Sequence, residues 1–221
     1  MDVVEAHQAL SDPHRLAIAQ ALLTCDLSPT EVGVRWGLST PLVAHHLKAL
    51  EQAGLVVRRT GEHDARRTYV SLRRDDPDVV AIVAVGAPHV SMPGRIAFVC
   101  TGNSARSKLA AALWRRVSRV PAIDAGTAPA GAPHPRTLEL AQRRGLAVDL
   151  EMHRVADVVS PGDLVIAVCD HVHETIGPDI ERWHWSIPDP VAAASDAFDD
   201  VCTTLDLRVH DLERSLSPSP A

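Results

Sequence analysis

The chain has 221 residues, of which 46% are hydrophobic and 3% aromatic, and a net charge of −6 at pH 7. This length allows one or two domains, and no stretch approaches the roughly 20 apolar residues that a membrane-spanning helix requires. The acidic N-terminus lacks the pattern of a signal peptide. Four cysteines in a chain of this size are typical of thiols in a reducing compartment rather than of disulfides. We therefore expect a cytoplasmic protein without a membrane partner.

The first 72 residues combine helix starts with a hairpin. Ser11–Pro13 and Ser28–Glu31 each place a capping residue before a proline near the first helical position, and the second also has the spacing of a capping box. Ser39–Pro41 predicts the start of a third helix. Two alternating runs, Leu55–Arg59 and Arg67–Leu72, flank a polar tip and predict two paired strands. Helices followed by a β-wing predict a winged helix-turn-helix.

Two segments of this region resemble ArsR-type repressors. Ala9–Ile18 is similar to the first part of their DNA-binding domain, and Ser39–Val56 is similar to their recognition helix and the residues after it. The resemblance covers about Val3–Leu72 and implies a DNA operator as partner and a homodimer formed through this domain. The residues that it places against DNA are Ser39, Thr40, His45, His46 and Lys48 in the major groove, and Arg58, Arg59, Arg66 and Arg67 beside the phosphate backbone.

The charge of this region leaves a second interpretation open. Residues 1–78 contain nine Lys and Arg against eleven Asp and Glu, and only the predicted wing is basic. The same composition fits a winged helix that serves dimerisation or protein docking. Cys25 is the only thiol in the region where regulators of this type sense arsenite. One thiol per protomer cannot form a three-thiolate site, so direct sensing by Cys25 is not expected unless a partner subunit or histidines contribute.

A segment of mixed composition follows the winged helix. Charged residues and a proline precede the apolar run Val79–Val85, and glycine and proline follow it up to Gly94. This composition is typical of a linker, although the apolar run must be buried as a short helix or strand. We therefore predict the winged helix over 1–76, a linker over 77–94, a second domain over 95–216 and a disordered tail over 217–221.

The most informative run is Cys100–Ser107, which directly follows the apolar stretch Arg95–Val99. A strand that leads through small residues into a helix places the thiol of Cys100 and the guanidinium of Arg106 around one point. Glycine and asparagine in the loop tolerate positive φ, so backbone N–H groups can turn inward, and the helix N-terminus points to the same place. Such surroundings stabilise a thiolate and bind a tetrahedral oxyanion. The predicted oxyanion-binding loop consists of Thr101, Gly102, Asn103, Ser104 and Ala105.

Residues from about 95 to 216 resemble the low-molecular-weight protein tyrosine phosphatases and the arsenate reductases built on the same fold. Besides the loop, Asp124–Thr127, Leu164–Asp170 and His184–Pro190 are similar to a strand turn, a further strand and the acid loop of that family. The resemblance implies an α/β three-layer domain with a central parallel sheet and a phosphate-binding loop. It implies four roles: Cys100 is the nucleophile, Arg106 binds the oxyanion, Ser107 hydrogen-bonds the thiolate, and Asp189 protonates the leaving oxygen.

The residues after the acid loop bear on the substrate. Pro190 is followed by Val191–Ala194, and the only tyrosine of the chain, Tyr69, lies in the other domain. Without an aromatic platform, stacking on an aryl ester is weak, which favours a small oxyanion such as arsenate. We therefore predict a bifunctional transcriptional regulator and arsenate reductase acting in arsenic resistance. Two alternatives stay open: a phosphatase fused to a DNA-binding domain, and a regulator that senses phosphate or arsenate without turnover.

Arsenate reduction needs a second thiol, and the resemblance implies Cys169 as the candidate resolving residue. Thiol-relay reductases carry another cysteine a few residues later, which the run 170–176 lacks. Either Cys100 and Cys169 form a disulfide that an external thioredoxin- or glutaredoxin-type reductant opens, or a low-molecular-weight thiol attacks the arsenic adduct. A purely structural role for Cys169 in the core also stays open. We expect no bound cofactor and no metal, because thiolate catalysis needs none and the spacing of His171, His173 and Glu174 also fits an exposed loop.

Overall fold

The described part of the chain, residues 2–192 and 197–217 of a computed structural model, divides between residues 89 and 90 into two units. The first unit contains helices at its start and a two-stranded antiparallel hairpin after them. Its elements are α1 (Val3–Leu10), α2 (Pro13–Ala21), α3 (Pro29–Trp36), α4 (Thr40–Gln52), β1 (Val56–Thr60), β2 (Thr68–Leu72) and α5 (Pro77–Ala84).

Local signals in the sequence account for these helix ends. The Asp12 carboxylate accepts hydrogen bonds from the N–H groups of His14 and Arg15 at the start of α2. Ser28 and Glu31 form a reciprocal capping box at the start of α3. Gly37 ends α3 in the left-handed conformation, with φ of 64°, and so turns the chain towards α4. These helices and the hairpin confirm the predicted winged helix-turn-helix fold.

Within the predicted linker, residues 77–84 form α5. Asp76 caps this helix by accepting a hydrogen bond from the N–H of Asp78 at 3.0 Å. Val79 and Val83 are fully buried, and Gln20 Nε2 on α2 donates to the carbonyl of Val85 at 3.2 Å. Four-residue spacing places the two valines on one helix face, and burying that face within the first unit stabilises the segment.

The second unit is built around a parallel sheet of four strands in the order β5-β4-β6-β7. All five residues of β4 are buried, which is typical of a strand covered on both faces. This confirms the predicted α/β fold. The elements are β3 (Val90–Ser91), β4 (Ile96–Cys100), α6 (Arg106–Val117), β5 (Ala122–Gly126), α7 (Pro135–Arg144), α8 (Val155–Val158), β6 (Leu164–Ala167), α9 (Asp170–Thr175), β7 (Arg182–His184), α10 (Ala197–Ser215) and β8 (Leu216–Ser217).

The strand order determines where a site forms. β4 is the first strand of the sheet, and the next two strands, β5 and β6, lie on its two sides. The connections after β4 therefore separate at its carboxyl end, which is the position where open α/β sheets bind ligands.

The C-terminal end differs in part from the predicted disordered tail. Ser217, the first residue of that tail, pairs with Ser91 in the short parallel ladder of β8 and β3. The rest of the tail, residues 218–221, lies outside the described residues. Across the ranges 2–192 and 197–217, no helix has the length and apolar character needed to span a membrane.

Candidate active site

The predicted oxyanion-binding loop lies between Cys100, the last residue of β4, and Arg106, the first residue of α6. Asn103 adopts the left-handed conformation with φ of 51°, as a sharply curled loop requires. The loop lies directly against Gly126 at the end of β5. A Cβ atom at Gly126 would stand 2.6 Å from the carbonyl oxygen of Thr101 and 2.9 Å from the nitrogen of Asn103. The absence of a side chain at Gly126 therefore permits the loop to take this position.

Hydrogen bonds from the segment 127–137 hold the outside of the loop. The donor-to-acceptor pairs are Thr127 N to Cys100 O at 3.2 Å, Ala128 N to Thr101 O at 2.9 Å, Ala130 N to Gly102 O at 2.9 Å, His134 N to Ser104 O at 3.0 Å, and Thr137 Oγ1 to Ser104 O at 2.9 Å. In a trans peptide the N–H points opposite to the preceding carbonyl. Because these carbonyls point outward, the N–H groups that follow them point to the concave side, where they can bind an anion.

At the floor of this concave surface, Cys100 Sγ lies 3.1 Å from Ser107 Oγ. Asn103 determines the direction of that contact. The N–H of His153 donates to Asn103 Oδ1 at 2.8 Å, so the amide group of Asn103 faces Ser107 and donates to Ser107 Oγ at 3.1 Å. Since Ser107 Oγ accepts from this amide, its own proton is available to the sulfur. The geometry therefore allows Ser107 to stabilise a Cys100 thiolate.

A buried ion pair supports Asn103 from behind. Asp124 Oδ1 on β5 accepts from Asn103 Nδ2 and from Lys108 Nζ, both at 2.8 Å. The side chains of Asp124 and Lys108 are fully buried, and Lys108 also donates to the carbonyl of Glu151 at 2.6 Å. Sequence reasoning missed this support. The available signal was the lysine itself, which interrupts the apolar face of α6 and needs a buried anionic partner.

Arg106 connects the loop with the acid loop. Its Nη1 donates to the carbonyl of Ile187 at 2.9 Å, and its Nη2 lies 3.5 Å from Asp189 Oδ2. The Arg106 side chain is 9% exposed and that of Asp189 is 35% exposed. Asp189 Oδ1 also accepts from the N–H of Val191 at 3.2 Å. The fold thus brings together the predicted anion-binding guanidinium and the predicted acid, with the acid on the side open to solvent. Ala193 and Ala194, in the run that argued against an aromatic platform, lie outside the described residues.

Cys169 lies at the end of β6 beside the loop, with its Sγ 3.7 Å from Thr101 Oγ1. It is fully buried. Burial, together with the neighbouring charge of Cys100, raises the pKa of the Cys169 thiol to about 11. A thiol with this pKa is protonated at neutral pH, so it can act as a nucleophile only when a base or a change in its surroundings removes the proton.

The remaining two cysteines are buried, and two histidines near Cys169 contact neighbouring side chains. Cys25 and Cys202 are buried, and burial raises the pKa of the Cys25 thiol to about 11. His173 stacks on His184 with ring centroids 4.0 Å apart, and His184 Nε2 lies 2.9 Å from Asp170 Oδ1. In the described part of the chain, His171, His173 and Glu174 do not belong to a group of ligand atoms close enough to hold a metal ion.

In the first unit, one predicted DNA contact is wrong. His46 is only 4% exposed, and its ring stacks on that of His14 with centroids 5.5 Å apart. It occupies the helix face that Val43 and Leu50 bury, because three- and four-residue steps on a helix return to the same face. The remaining predicted groove residues, Ser39, Thr40, His45 and Lys48, are exposed.

The wing arginines are less available as cations than their number suggests. Arg66 is exposed but its Nε and Nη2 both lie 3.0 Å from the carboxylate of Asp64, and this contact lowers the pKa of Asp64 to about 2. Arg58 Nε lies 3.2 Å from Glu51 Oε2. Arg67 is exposed and Arg59 is half-buried. A nearby acid therefore offsets part of the positive charge of the wing.

Each of the two units matches a known protein family model. Residues 95–219 match the family model of the low molecular weight phosphotyrosine protein phosphatases, and residues 16–67 match that of the MarR family. The second match supports a winged-helix regulator but not the predicted ArsR type. Helix punctuation and a hairpin predict the winged-helix fold but carry no signal for one regulator family over another.

Curated relatives align with the second unit. Arsenate reductase 1 of Bacillus cereus is 26% identical over 121 residues, which cover 52% of this chain and 90% of that protein. Arsenate reductase 2 of Staphylococcus haemolyticus is 25% identical over 112 residues, covering 48% of this chain and 86% of that protein. Among solved structures, the Erwinia amylovora tyrosine phosphatase amsI has 22% identity and a TM-score of 0.52, and the match covers 57% of this chain and 95% of that one. This structure shows the fold alone.

Proposed function

The chain belongs to the low molecular weight phosphotyrosine protein phosphatase family, and we propose from this premise that its second unit is a thiolate-dependent arsenate reductase. The observation that carries the proposal is the second thiol beside the loop, with Cys169 Sγ 3.7 Å from Thr101 Oγ1. Phosphate-ester hydrolysis uses one thiol, whereas reduction of arsenate to arsenite takes two electrons, which two thiols supply when they form a disulfide. Relatives named as arsenate reductases cover this unit and support the same choice.

In the first step, arsenate binds in the concave loop with Arg106 as its charged partner. The Cys100 thiolate attacks arsenic, an As–S bond forms, and one As–O bond breaks. Asp189 gives its proton to the departing oxygen, which leaves as water. Asp189 has the position for this because its side chain is 35% exposed and lies 3.5 Å from Arg106, beside the bound anion.

In the second step, another thiolate attacks Cys100 Sγ. The S–S bond forms, the As–S bond breaks, and its electron pair goes to arsenic, which leaves as arsenite. We propose that Cys169 supplies this thiolate. An external reductant, either a thioredoxin- or glutaredoxin-type protein or a low-molecular-weight thiol, then reduces the disulfide between Cys100 and Cys169. Because the pKa of Cys169 is raised to about 11, its deprotonation is the demanding part of this step. An external thiol that attacks Cys100 directly would avoid that cost.

Arsenite formation from arsenate, measured with each class of reductant, tests this mechanism. Cys100→Ser is expected to abolish turnover. Cys169→Ser is expected to abolish turnover with a thioredoxin-type reductant, whereas Cys202→Ser, which changes another buried cysteine, leaves it near the wild-type rate. Arsenite production that persists in Cys100→Ser would overturn the assignment of the nucleophile. Equal rates for Cys169→Ser and wild type would assign Cys169 to the core and resolution to an external thiol.

Phosphatase activity is the second candidate, and Asp189 is the observation that favours it. An ester oxygen leaves poorly at neutral pH without an acid, and Asp189 lies beside the anion site next to Arg106. Turnover of an aryl phosphate is measured in the same preparations. Rapid hydrolysis that depends on Asp189, without arsenate reduction, would replace the reductase assignment. Slow aryl phosphate hydrolysis in a preparation that also reduces arsenate would agree with the reductase assignment.

For the first unit, we propose DNA binding as a homodimer, with the exposed positions of α4 in the major groove and the wing beside the backbone. Exposure of Thr40, His45 and Lys48 supports this placement. Lys48→Ala is expected to weaken operator binding and, if the lysine contacts one phosphate, to reduce the salt dependence by about 0.9 in the log–log slope. Lys48→Ala binding with an unchanged affinity and slope would exclude this contact. Arg119→Ala, which removes an exposed cation from the second unit, serves as the control.

A further inference from the structure

A cluster of three potential metal ligands lies in the first unit, whereas the proposed cysteine chemistry belongs to the second. Asp12 caps α2, His14 is the second residue of that helix, and His46 lies in the middle of α4. One ligand atom from each of the three residues lies within 4.8 Å of the other two. Asp12 Oδ1 is 3.7 Å from His46 Nδ1. The fold thus brings two histidines and a carboxylate to one point from helices that are separate in the chain.

His46 gives an independent reason to expect a ligand at this point. Its ring is 4% exposed, and both of its nitrogens are buried without a hydrogen-bond partner among the described residues. Nitrogens in this state are unfavourable, because they lose their hydrogen bonds to water and gain none from the protein. A metal ion bound to His46 Nδ1 would satisfy the nitrogen that faces Asp12.

From these two observations, we propose that Asp12, His14 and His46 bind one divalent transition-metal ion, of which Zn²⁺ is the best fit. Bond lengths of roughly 2.0–2.1 Å in a tetrahedral site place ligand atoms about 3.4 Å apart, close to the 3.7 Å between Asp12 Oδ1 and His46 Nδ1. The same geometry places the centroids of two bound imidazoles about 5 Å apart, and those of His14 and His46 are 5.5 Å apart. The fourth position is left for water or another donor.

The chemistry of the donors narrows the class of metal. Two imidazoles and a carboxylate suit Zn²⁺, Ni²⁺ or Cu²⁺ rather than the soft ions that select thiolates. Asp12 also accepts from the N–H groups of His14 and Arg15, and Arg15 Nη1 lies 3.9 Å from its Oδ2. The carboxylate is therefore already oriented towards the cluster, while Arg15 competes with the ion.

Binding at this site would tie the start of α2 to α4. Because α4 carries the exposed residues proposed to meet DNA, the ion would stabilise one position of that helix relative to α2. This inference goes beyond the oxyanion chemistry and does not depend on it, since none of the three ligands lies in the second unit.

The test uses the full-length protein and two variants that keep the fold. Asp12→Asn retains a residue suited to the N-cap but removes the charge, and His14→Gln removes one imidazole from a partly exposed position. The matched controls are Asp2→Asn, which changes the corresponding cap of α1, and His7→Gln, which changes an exposed histidine on α1. Circular dichroism and thermal unfolding without metal check that all four variants fold.

Zn²⁺ affinity is measured by competition with a chromophoric chelator, and Co²⁺ absorption reports the ligands. We expect one strong site per chain in the wild type and in both controls, with a loss of affinity of at least tenfold in Asp12→Asn and in His14→Gln. The visible Co²⁺ bands should have four-coordinate intensity and no thiolate charge-transfer band in the near ultraviolet. Unchanged affinity in both variants, or a thiolate band for the strong site, would overturn the proposal.

Discussion

Gly126 offers a sharp test of how the sheet positions the oxyanion-binding loop. In Gly126→Ala, the new Cβ would stand 2.6 Å from Thr101 O and 2.9 Å from Asn103 N, whereas an ordinary contact begins at 3.4 Å. The carbonyl oxygen therefore has to move by about 0.8 Å. Both contacts are with backbone atoms of the loop itself, so no flexible side chain can absorb the displacement.

A displacement of this size has a large expected effect on a site that we propose binds its anion through backbone N–H groups. Misplacing catalytic groups by about 1 Å can reduce the rate roughly 100-fold, and overpacking of this kind costs about 1–3 kcal/mol of stability. We expect kcat/KM for arsenate, or for an aryl phosphate if hydrolysis is the activity, to fall by about 100-fold. Binding of inorganic phosphate, measured by calorimetry, should weaken in parallel.

The matched control is Gly131→Ala, because a Cβ at Gly131 meets no atom within 4 Å. Gly131 is exposed and lies within the segment that holds the loop, but it is not one of the residues whose hydrogen bonds to the loop are described above. This variant should retain wild-type turnover and phosphate affinity. If Gly126→Ala kept turnover and phosphate binding within about threefold of the wild type, well short of the 100-fold loss, the argument that Gly126 positions the loop would be refuted.

Three further predictions concern the second unit. Lys108→Met removes the buried cation of Asp124 but leaves Arg115 Nη2 at 3.4 Å from Asp124 Oδ2, so the free energy of unfolding in urea should fall by about 3 kcal/mol, the lower end for a broken buried pair; a loss below about 1 kcal/mol, the range of exposed pairs, would contradict this. Arg95 holds the pKa of Asp163 below its usual value, so this carboxylate stabilises the fold above its unfolded pKa and that contribution is lost as the pH falls through the folded pKa. Asp163→Asn should therefore flatten the loss of stability below about pH 4, and an unchanged acid profile would exclude the pair as its source. Alkylation of Cys169 should be slow at neutral pH and accelerate as the pH approaches its raised pKa of about 11; rapid modification at pH 7 in the folded protein would contradict its burial.

The sequence was most informative where structure depends on neighbours along the chain. Capping residues and prolines at helix starts act through backbone groups a few positions away, so the starts of α2, α3 and α4 could be predicted from them. The run from β4 through the loop to α6 is equally local, and it placed Cys100 and Arg106 at the two ends of one loop. The apolar run in the predicted linker was correctly expected to be buried, but composition alone did not show that it is a helix of the first unit.

Contacts between distant residues could be decided only by the tertiary structure. The amide of Asn103 meets Asp124 and His153, which are 21 and 50 positions away, because β5 pairs with β4 and the segment after α7 returns to the loop. The position of Cys169 beside Thr101 depends in the same way on the pairing of β6 with β4.

His46 shows most clearly what the sequence alone did not determine. Val43, His46 and Leu50 share the buried face of α4, whereas the resemblance to a recognition helix suggested a groove contact for His46. Only the packing of α2 against α4 places His46 beside His14 and Asp12. Chain-local hydrogen bonding and periodicity thus determined many of the elements and the loop between Cys100 and Arg106, whereas the order of strands and the packing of helices determined which polar side chains meet. The physical reason is that capping and periodicity act over a few residues, while burial brings together groups that the sequence keeps far apart.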